Sequence, residues 1–138
     1  MKLYASGRLD MLRDLVHPDA EIQMALLRGE AARGPDGLER ALTAAATSLH
    51  RPRMDTIEPI DAHAAILVGR VRYPLEGGGF GDRRAAWLNV LKDGLIWRVR
   101  IYHDASAARQ AYTTEFLPLV LASLGTSRAG DRSRAPSA

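Results

Sequence analysis

Apolar and polar positions divide the chain into a helical first part and a strand-rich second part. Residues 9–16 carry apolar side chains at helical spacing and predict a helix. That helix should end before residues 17–19, because proline disfavours helical angles in the residue before it. Alternation over residues 20–24 predicts a short strand. The turn at residues 34–37 precedes a second helical pattern over residues 38–49.

From residue 54 onward the pattern is typical of strands. Four β runs follow one another at residues 54–61, 64–73, 84–91 and 95–103. A glycine-rich loop separates the second run from the third, and Lys92-Asp93-Gly94 predicts a tight hairpin between the last two. Asp104 can cap a short helix that reaches Tyr112, and an apolar stretch continues to Leu124. Helices followed by a run of antiparallel strands predict an α+β domain.

Composition is that of an ordinary globular domain. The chain has 138 residues, of which 46% are hydrophobic, and this is enough for one core. It contains no cysteine, which excludes a disulfide framework and a thiolate metal site. No apolar run approaches the roughly 20 residues of a membrane span, and the N-terminus lacks an apolar signal segment. We therefore expect a cytoplasmic protein with no membrane partner.

We predict one domain over residues 1–124 and a disordered tail over residues 125–138. The tail is small and polar, and it holds three arginines against one aspartate. Most of the formal net charge of +3 therefore lies in the tail, and no nucleic-acid-binding motif is present, so we expect no nucleic-acid partner. Seventeen arginines against two lysines are typical of a GC-rich bacterial genome.

Three segments carry a family resemblance: GRLDMLRDLVHPDAEI, RGPDGLERAL and WLNVLKDGLIWRVRIYHD. Together they resemble the SnoaL-like branch of the nuclear transport factor 2-like (ketosteroid isomerase-like) superfamily. The resemblance implies a cone, in which a strongly curved antiparallel sheet wraps around N-terminal helices and encloses one apolar pocket. It also implies a homodimer. Members include isomerases, polyketide cyclases, epoxide hydrolases, dehydratases and non-catalytic binding modules, so the fold alone does not define the function.

The positions at which that family keeps its acids and bases are apolar in this chain. The base of the isomerases corresponds to Met24, so the resemblance predicts no steroid isomerase activity. The water-holding tyrosine and asparagine of the epoxide hydrolases correspond to Ile22 and Met24. Their arginine–aspartate pair corresponds to Arg70 and Arg72, and only the arginine remains. The acid of the final strand corresponds to Ile101.

Period-two alternation in the last strand predicts one pocket wall made of Trp97, Val99 and Ile101, with His103 at its rim. An imidazole can give or take a proton near neutral pH, so His103 is the candidate acid–base group. The alternative is a partly exposed histidine at a strand end. Trp87 should lie on the face opposite to Trp97. The predicted lining is completed by Ile22, Met24 and Leu88.

Arg70 and Arg72 share one face of their strand and leave two alternatives open. Facing inward, they would form a clamp for a carboxylate or enolate. Facing outward, they would be solvated charges beside Arg98 and Arg100.

Two functions of different class follow from these residues. In the first, the chain binds a small apolar or weakly acidic molecule, with isomerase, cyclase or dehydratase chemistry that needs no cofactor. The four histidines are scattered, so no metal is expected. In the second, the chain is a non-catalytic dimerising module whose convex sheet carries Ile96, Arg98, Arg100 and Tyr102. A cavity of about 300 Å³ or more would favour the first function.

Only residues 1–5 precede the Ser6-Gly7 break, where the family has a helix of several turns. Two alternatives follow: either the true start of the protein lies upstream, or Met1 begins a shortened helix and the pocket has a more open mouth. The apolar segment 113–124 is predicted to pack across that mouth or onto a partner subunit, because exposed hydrocarbon is costly.

Overall fold

A computed structural model describes residues 13–23, 31–47 and 49–124 of the chain. The strands are β1 (Val16–Ile22), β2 (Ala32–Arg33), β3 (Arg51–Asp61), β4 (Ala64–Pro74), β5 (Phe80–Lys92) and β6 (Leu95–Tyr102). The helices are α1 (Gly34–Thr47) and α2 (Ala105–Ala111), and α2 continues through a π-helical turn (Tyr112–Phe116) into helical residues up to 124. The predicted α+β class is confirmed. The disordered tail and most of the first helix were predicted for residues outside the described ranges.

The six strands form one sheet in the order β2-β1-β6-β5-β4-β3. All neighbouring pairs are antiparallel except β1 and β6, which run parallel, so the sheet is mixed rather than wholly antiparallel as expected. The predicted hairpin between β5 and β6 is confirmed. Its turn residues, Asp93 and Gly94, have φ angles of 55° and 75°, the left-handed conformation that a two-residue turn of this kind requires.

The first strand begins earlier than the sequence pattern indicates. Residues 13 and 14 are helical, but Val16 already belongs to β1, so the prediction that the helix reaches this residue is wrong. Pro18 is accommodated because the pairing with β6 shifts register between Val16 and Glu21. Within this irregular stretch the Asp19 amide donates a 2.9 Å hydrogen bond to Nδ1 of His17.

One face of the sheet is covered by the C-terminal helical residues, and we call it the helix-covered face. Alternating buried positions of β4 and β5 form its floor, and α2 with the residues after it packs on top. The resulting cluster contains Ala64, Ile66, Ala86, Leu88, Val90, Trp97, Ala108, Tyr112, Phe116 and Val120. No helix among the described residues is long and apolar enough to cross a membrane.

The opposite face carries two smaller clusters. Val71, Ala85 and Trp87 pack together, with Leu67 and Ile101 against them. Near the other edge of the sheet, β1 packs with Leu38 of α1 through a cluster of Val16, Ala20 and Ile22. The opposite face therefore carries Ile101, and the helix α1 packs on this same face.

The apolar segment after α2 corrects a prediction. Phe116 and Val120 are buried against Ile66 and Leu88, on the helix-covered face. They do not lie beside Ile101, where the pocket was expected, and the segment therefore does not cover the mouth of that pocket. The physical reason is that Ala86, Leu88 and Val90 of β5 form a continuous apolar strip, and burial of this strip needs a helix on the same side of the sheet.

Candidate functional site

A cavity of about 280 Å³ lies where β6 ends while β4 and β5 continue. Its apolar lining comes from Val71, Ala85 and Ile101, which are side chains of the opposite face. These three residues come from three adjacent strands, because β4 pairs with β5 and β5 pairs with β6. The volume is slightly below the range that is usual for small-molecule sites, roughly 300–1,000 Å³, and so slightly below the value expected for the first function.

Positive charge lies at one side of this cavity. Arg83 pairs with Val71 across the β4–β5 ladder and therefore shares the opposite face with it. Its guanidinium lies 5.9 Å from the ring centroid of Tyr73. The ring can lie there because position 81 is a glycine: a Cβ at Gly81 would be 2.8 Å from Cζ of Tyr73. The aromatic ring thus limits where the Arg83 guanidinium can lie.

His103 lines the same cavity at the end of β6. Its Nε2 atom is 3.4 Å from Oδ2 of Asp104. The Oδ1 atom of Asp104 accepts a 2.8 Å hydrogen bond from the amide of Ala107 and so caps α2, as predicted. The histidine is oriented by a fixed carboxylate, but its side chain is 80% exposed. The imidazole is therefore largely in contact with solvent.

Tyr102 is the second polar ring at the cavity. Burial raises the pKa of its phenol above the ordinary value, and the nearby negative charge of Glu115 adds to the shift. Tyr102 pairs with Ala86 and packs against the helix-covered cluster, so its phenol lies on the other side of the sheet from Ile101.

Two of the predicted lining residues lie on the wrong side of the sheet for this site. Leu88 and Trp97 belong to the helix-covered cluster and not to the wall that contains Ile101. The two tryptophans do lie on opposite faces, which confirms that prediction, but Trp87 is the one that packs beside Val71 and Ile101.

A β-bulge explains the position of Trp97. Val90 pairs with Arg98. The next residue, Leu91, pairs with Ile96, so β6 has one extra residue at Trp97. An extra residue interrupts the alternation of side chains, and Trp97 turns away from the face that Val99 and Ile101 share.

The other predicted apolar residues divide between two places. Ile22 pairs with Val99 across the parallel β1–β6 ladder, and both pack near Leu38 of α1. They share the face of Ile101 but do not line the 280 Å³ cavity. Met24 lies outside the described residues.

Arg70 and Arg72 are exposed and line a different cavity, on the helix-covered face beyond the end of the helices. They are not beside Arg98 and Arg100, which contact Glu21 instead. Their exposure agrees with the outward alternative, although their neighbours are not the arginines that this alternative named.

The convex surface predicted for a dimerising module is also not free. Tyr102 packs against the helix-covered cluster, and Arg100 lies 5.8 Å from the ring centroid of Phe116. The side chains of Arg98 and Arg100 are only 18% and 26% exposed. The helical residues after α2 occupy this surface.

Sequence reasoning missed Val71, Arg83, Arg84, Ala85 and Tyr102 as residues of the site. A signal for two of them was present. The hairpin turn places Trp87 opposite Ile101, and counting along β5 by twos then brings Ala85 and Arg83 to the same face. No group of three His, Asp or Glu side chains among the described residues is placed to hold a metal ion.

Comparison with known proteins gives the class of fold. No family model matches the sequence, and no curated protein matches it. A Mycobacterium tuberculosis protein in complex with estradiol-17β-hemisuccinate is similar in structure, with a TM-score of 0.55 at 13% identity over 76% of this chain and 88% of that one. An NTF2-like protein of unknown function from Burkholderia pseudomallei has a TM-score of 0.54 at 12% identity over 79% and 88%. A polyketide cyclase, described as putative, from Sinorhizobium meliloti has a TM-score of 0.54 at 20% identity over 73% and 88%.

The chain therefore has the nuclear transport factor 2-like fold. The resemblance inferred from the sequence is confirmed at the level of the fold, since structures of the ketosteroid isomerase and polyketide cyclase kind are among those that match.

Proposed function

We propose that the chain binds a small, mostly apolar molecule with one acidic group in the 280 Å³ cavity. The observation that carries this proposal is the composition of the cavity: an apolar lining of Val71, Ala85 and Ile101, with Arg83 at one side. Apolar walls with a few fixed polar groups are the usual form of a small-molecule site. A guanidinium held against a ring is suited to a carboxylate, because it loses little freedom on binding.

The comparisons support the same class of ligand. One structurally similar protein was crystallised in complex with estradiol-17β-hemisuccinate, and another is described as a polyketide cyclase. The similarity is one of fold, and the charge at Arg83 is the feature of this chain that favours an acidic ligand.

The exposure of His103 favours binding over catalysis. Acid–base groups of enzymes are usually placed in clefts where burial and neighbouring charges tune them, whereas this imidazole is 80% exposed. We propose that any isomerase, cyclase or dehydratase activity on the bound molecule depends on His103. His103→Ala should then lower turnover about 100-fold, and unchanged turnover would exclude this residue from the chemistry.

The binding proposal can be tested with two fluorescent probes that differ by one charged group. 1-Anilinonaphthalene-8-sulfonate carries a sulfonate, and N-phenyl-1-naphthylamine is the same ring system without it. We expect both to bind the full chain. Arg83→Gln should weaken binding of the sulfonate about tenfold and leave the neutral probe unchanged, because only the sulfonate uses the charge.

Two further variants serve as controls. Arg40→Gln removes an exposed arginine of α1 that does not line the cavity, so it should have little effect. Ile101→Ser should weaken both probes, because it removes apolar lining. Equal loss of both probes in Arg83→Gln, or no loss in Ile101→Ser at unchanged near-ultraviolet circular dichroism, would contradict the proposal.

A dimerising module is the second candidate function, and one observation favours it. The edge strand β3 exposes Met54 and Ile57, the latter by 66%. Edge strands with free backbone groups and apolar side chains can pair with another chain. Light scattering should give twice the mass of 15.1 kDa if this edge holds a homodimer, and Ile57→Lys should return the monomer.

A further inference from the structure

A second cavity, of about 350 Å³, lies on the helix-covered face between β3, β4 and β5, beyond the end of the helices. Four arginines from β3 and β4 line it, together with two residues of β5. With Pro52 of β3, the lining residues are Arg51, Pro52, Arg53, Arg70, Arg72, Phe80 and Asp82. Arg72 lies over the ring of Phe80 at 4.5 Å from its centroid, so this guanidinium has a defined position.

The strand register places the arginines directly opposite one another. Arg51 pairs with Arg72, and Arg53 pairs with Arg70 across the β3–β4 ladder. Arg70 in turn pairs with Arg84 of β5. Like charges at directly opposite positions destabilise a sheet, so these three pairs lower the stability of the fold.

A glycine makes the closest of these approaches feasible. A Cβ atom at Gly69 would lie 1.8 Å from the carbonyl oxygen of Arg53, which is far inside contact distance. The absence of a side chain lets β3 lie against β4 at this point, and Arg53 and Arg70 are paired there. The register also shifts between Met54 and Thr56, beside this contact.

Few carboxylates compensate for this charge. Asp55 is 3.2 Å from Nε of Arg53, and Asp82 lines the cavity. Within the described ranges, no carboxylate oxygen lies within 4.0 Å of the guanidinium of Arg70, Arg72 or Arg84. Exposed arginines of this chain do form ion pairs where a partner is near, as Arg109 does with Glu58 at 3.1 Å.

We propose that this cavity binds a phosphorylated small molecule. A phosphate ester carries close to two negative charges and three acceptor oxygens, and guanidinium groups bind it through paired hydrogen bonds. Arg70 and Arg72 offer two guanidiniums to one ligand, and a phosphate ester with close to two negative charges can pair with both, whereas a carboxylate carries only one charge. The volume is that of a small-molecule site. The site is separate from the 280 Å³ cavity, because Arg70 and Arg72 alternate with Val71 along β4, so either proposal can fail alone.

Isothermal titration of the full chain with inorganic pyrophosphate at low ionic strength tests the proposal. We expect measurable binding by the wild type, and a loss of about tenfold in each of Arg70→Gln and Arg72→Gln, the scale of one charge-assisted hydrogen bond. Asp82→Asn should strengthen binding, because it removes the repulsion between its carboxylate and the anion. The matched controls are Arg40→Gln and Asp14→Asn, exposed residues away from the cavity, which should change binding little.

Three results would overturn the proposal. The first is no binding of pyrophosphate by the wild type while thermal denaturation shows a folded protein. The second is an equal loss in Arg40→Gln, which would show attraction by overall charge rather than a site. The third is binding of a short single-stranded oligonucleotide without binding of pyrophosphate, which would indicate an extended nucleic-acid surface instead.

Discussion

The tripeptide Arg-Val-Arg occurs twice in the sheet, at residues 70–72 of β4 and 98–100 of β6, and its two copies have different surroundings. In both, the valine points to the opposite face and the arginines to the helix-covered face. The β6 arginines contact Glu21 of β1, at 3.5 Å from Arg98 and 3.0 Å from Arg100. Of the β4 arginines, Arg70 instead lies between Arg53 and Arg84, and Arg72 lies between Arg51 and Asp82.

Local sequence therefore determines the side to which these charges point, and the neighbouring strands determine whether they are neutralised. The β6 copy is also covered by aromatic rings: the guanidinium of Arg98 lies 3.9 Å from the ring centroid of Trp97, and that of Arg100 lies near Phe116. The β4 copy lies beyond the C-terminal helix and is exposed. Burial and pairing occur together in one copy, whereas the other keeps its charge available for a ligand.

Among the changes that test this comparison, removal of the aromatic ring that covers the β6 copy should have the largest effect on stability. Phe116 is 4% exposed and packs in the helix-covered cluster. Phe116→Ala should lower the free energy of unfolding by about 3–5 kcal/mol, through lost burial and the cavity left behind. Urea denaturation at pH 7 measures this. Leu119→Ala on the same helical segment is the control, because Leu119 is 51% exposed and its loss should cost little. Equal costs would mean that this segment does not cover the sheet.

Removal of the Glu21 carboxylate should have the second largest effect on stability. The hydrogen bond from Arg100 holds the pKa of Glu21 below its ordinary value of 4.5; burial opposes this shift, and the charges of Arg98 and Arg33 add to it. Glu21→Gln should lower the free energy of unfolding by about 1–2 kcal/mol at pH 7, because two partly buried guanidiniums lose their counter-charge.

The pH dependence of Glu21→Gln follows from the direction of that shift. A carboxyl whose pKa is lower in the folded protein stabilises the fold above pH 4.5, and this contribution is lost as the pH falls through the lower folded value. The stability difference between wild type and variant should therefore shrink as the pH falls below 4.5. Glu58→Gln, which removes the exposed pair with Arg109, should cost less than about 0.5 kcal/mol. A difference that stays constant down to pH 2 would contradict the role of Glu21.

The smallest effect, and one of opposite sign, is expected for the β4 copy. Arg70→Gln removes like-charge repulsion with Arg53 and Arg84, and it should raise the free energy of unfolding by about 0.5 kcal/mol at low ionic strength. The gain should vanish near 1 M salt, where charges are screened within about 3 Å. Arg100→Gln should destabilise under the same conditions. Thermal denaturation that shows both variants destabilised equally would remove the distinction between the two copies.

Part of the site was predictable because it depends on local geometry. Alternation along β6 places Ile101 and His103 on one side, and both line the 280 Å³ cavity. The role of Asp104 as a helix cap follows from its position after a strand and before a helix. The position of Trp97 was not predictable in this way, because a bulge leaves no mark in the apolar pattern of a strand.

The sequence by itself determined the order of the main helices and strands, the hairpin at Asp93-Gly94 and the alternation of side chains wherever a strand has no bulge. These properties depend on backbone angles and on periods of two or 3.6 residues, which neighbouring residues set. Only the tertiary structure decided that segment 113–124 covers the helix-covered face, that Glu21 neutralises one Arg-Val-Arg copy, and that the other copy lies among arginines. Such outcomes depend on which strands become neighbours, and pairing between residues tens of positions apart is determined by packing of the whole chain.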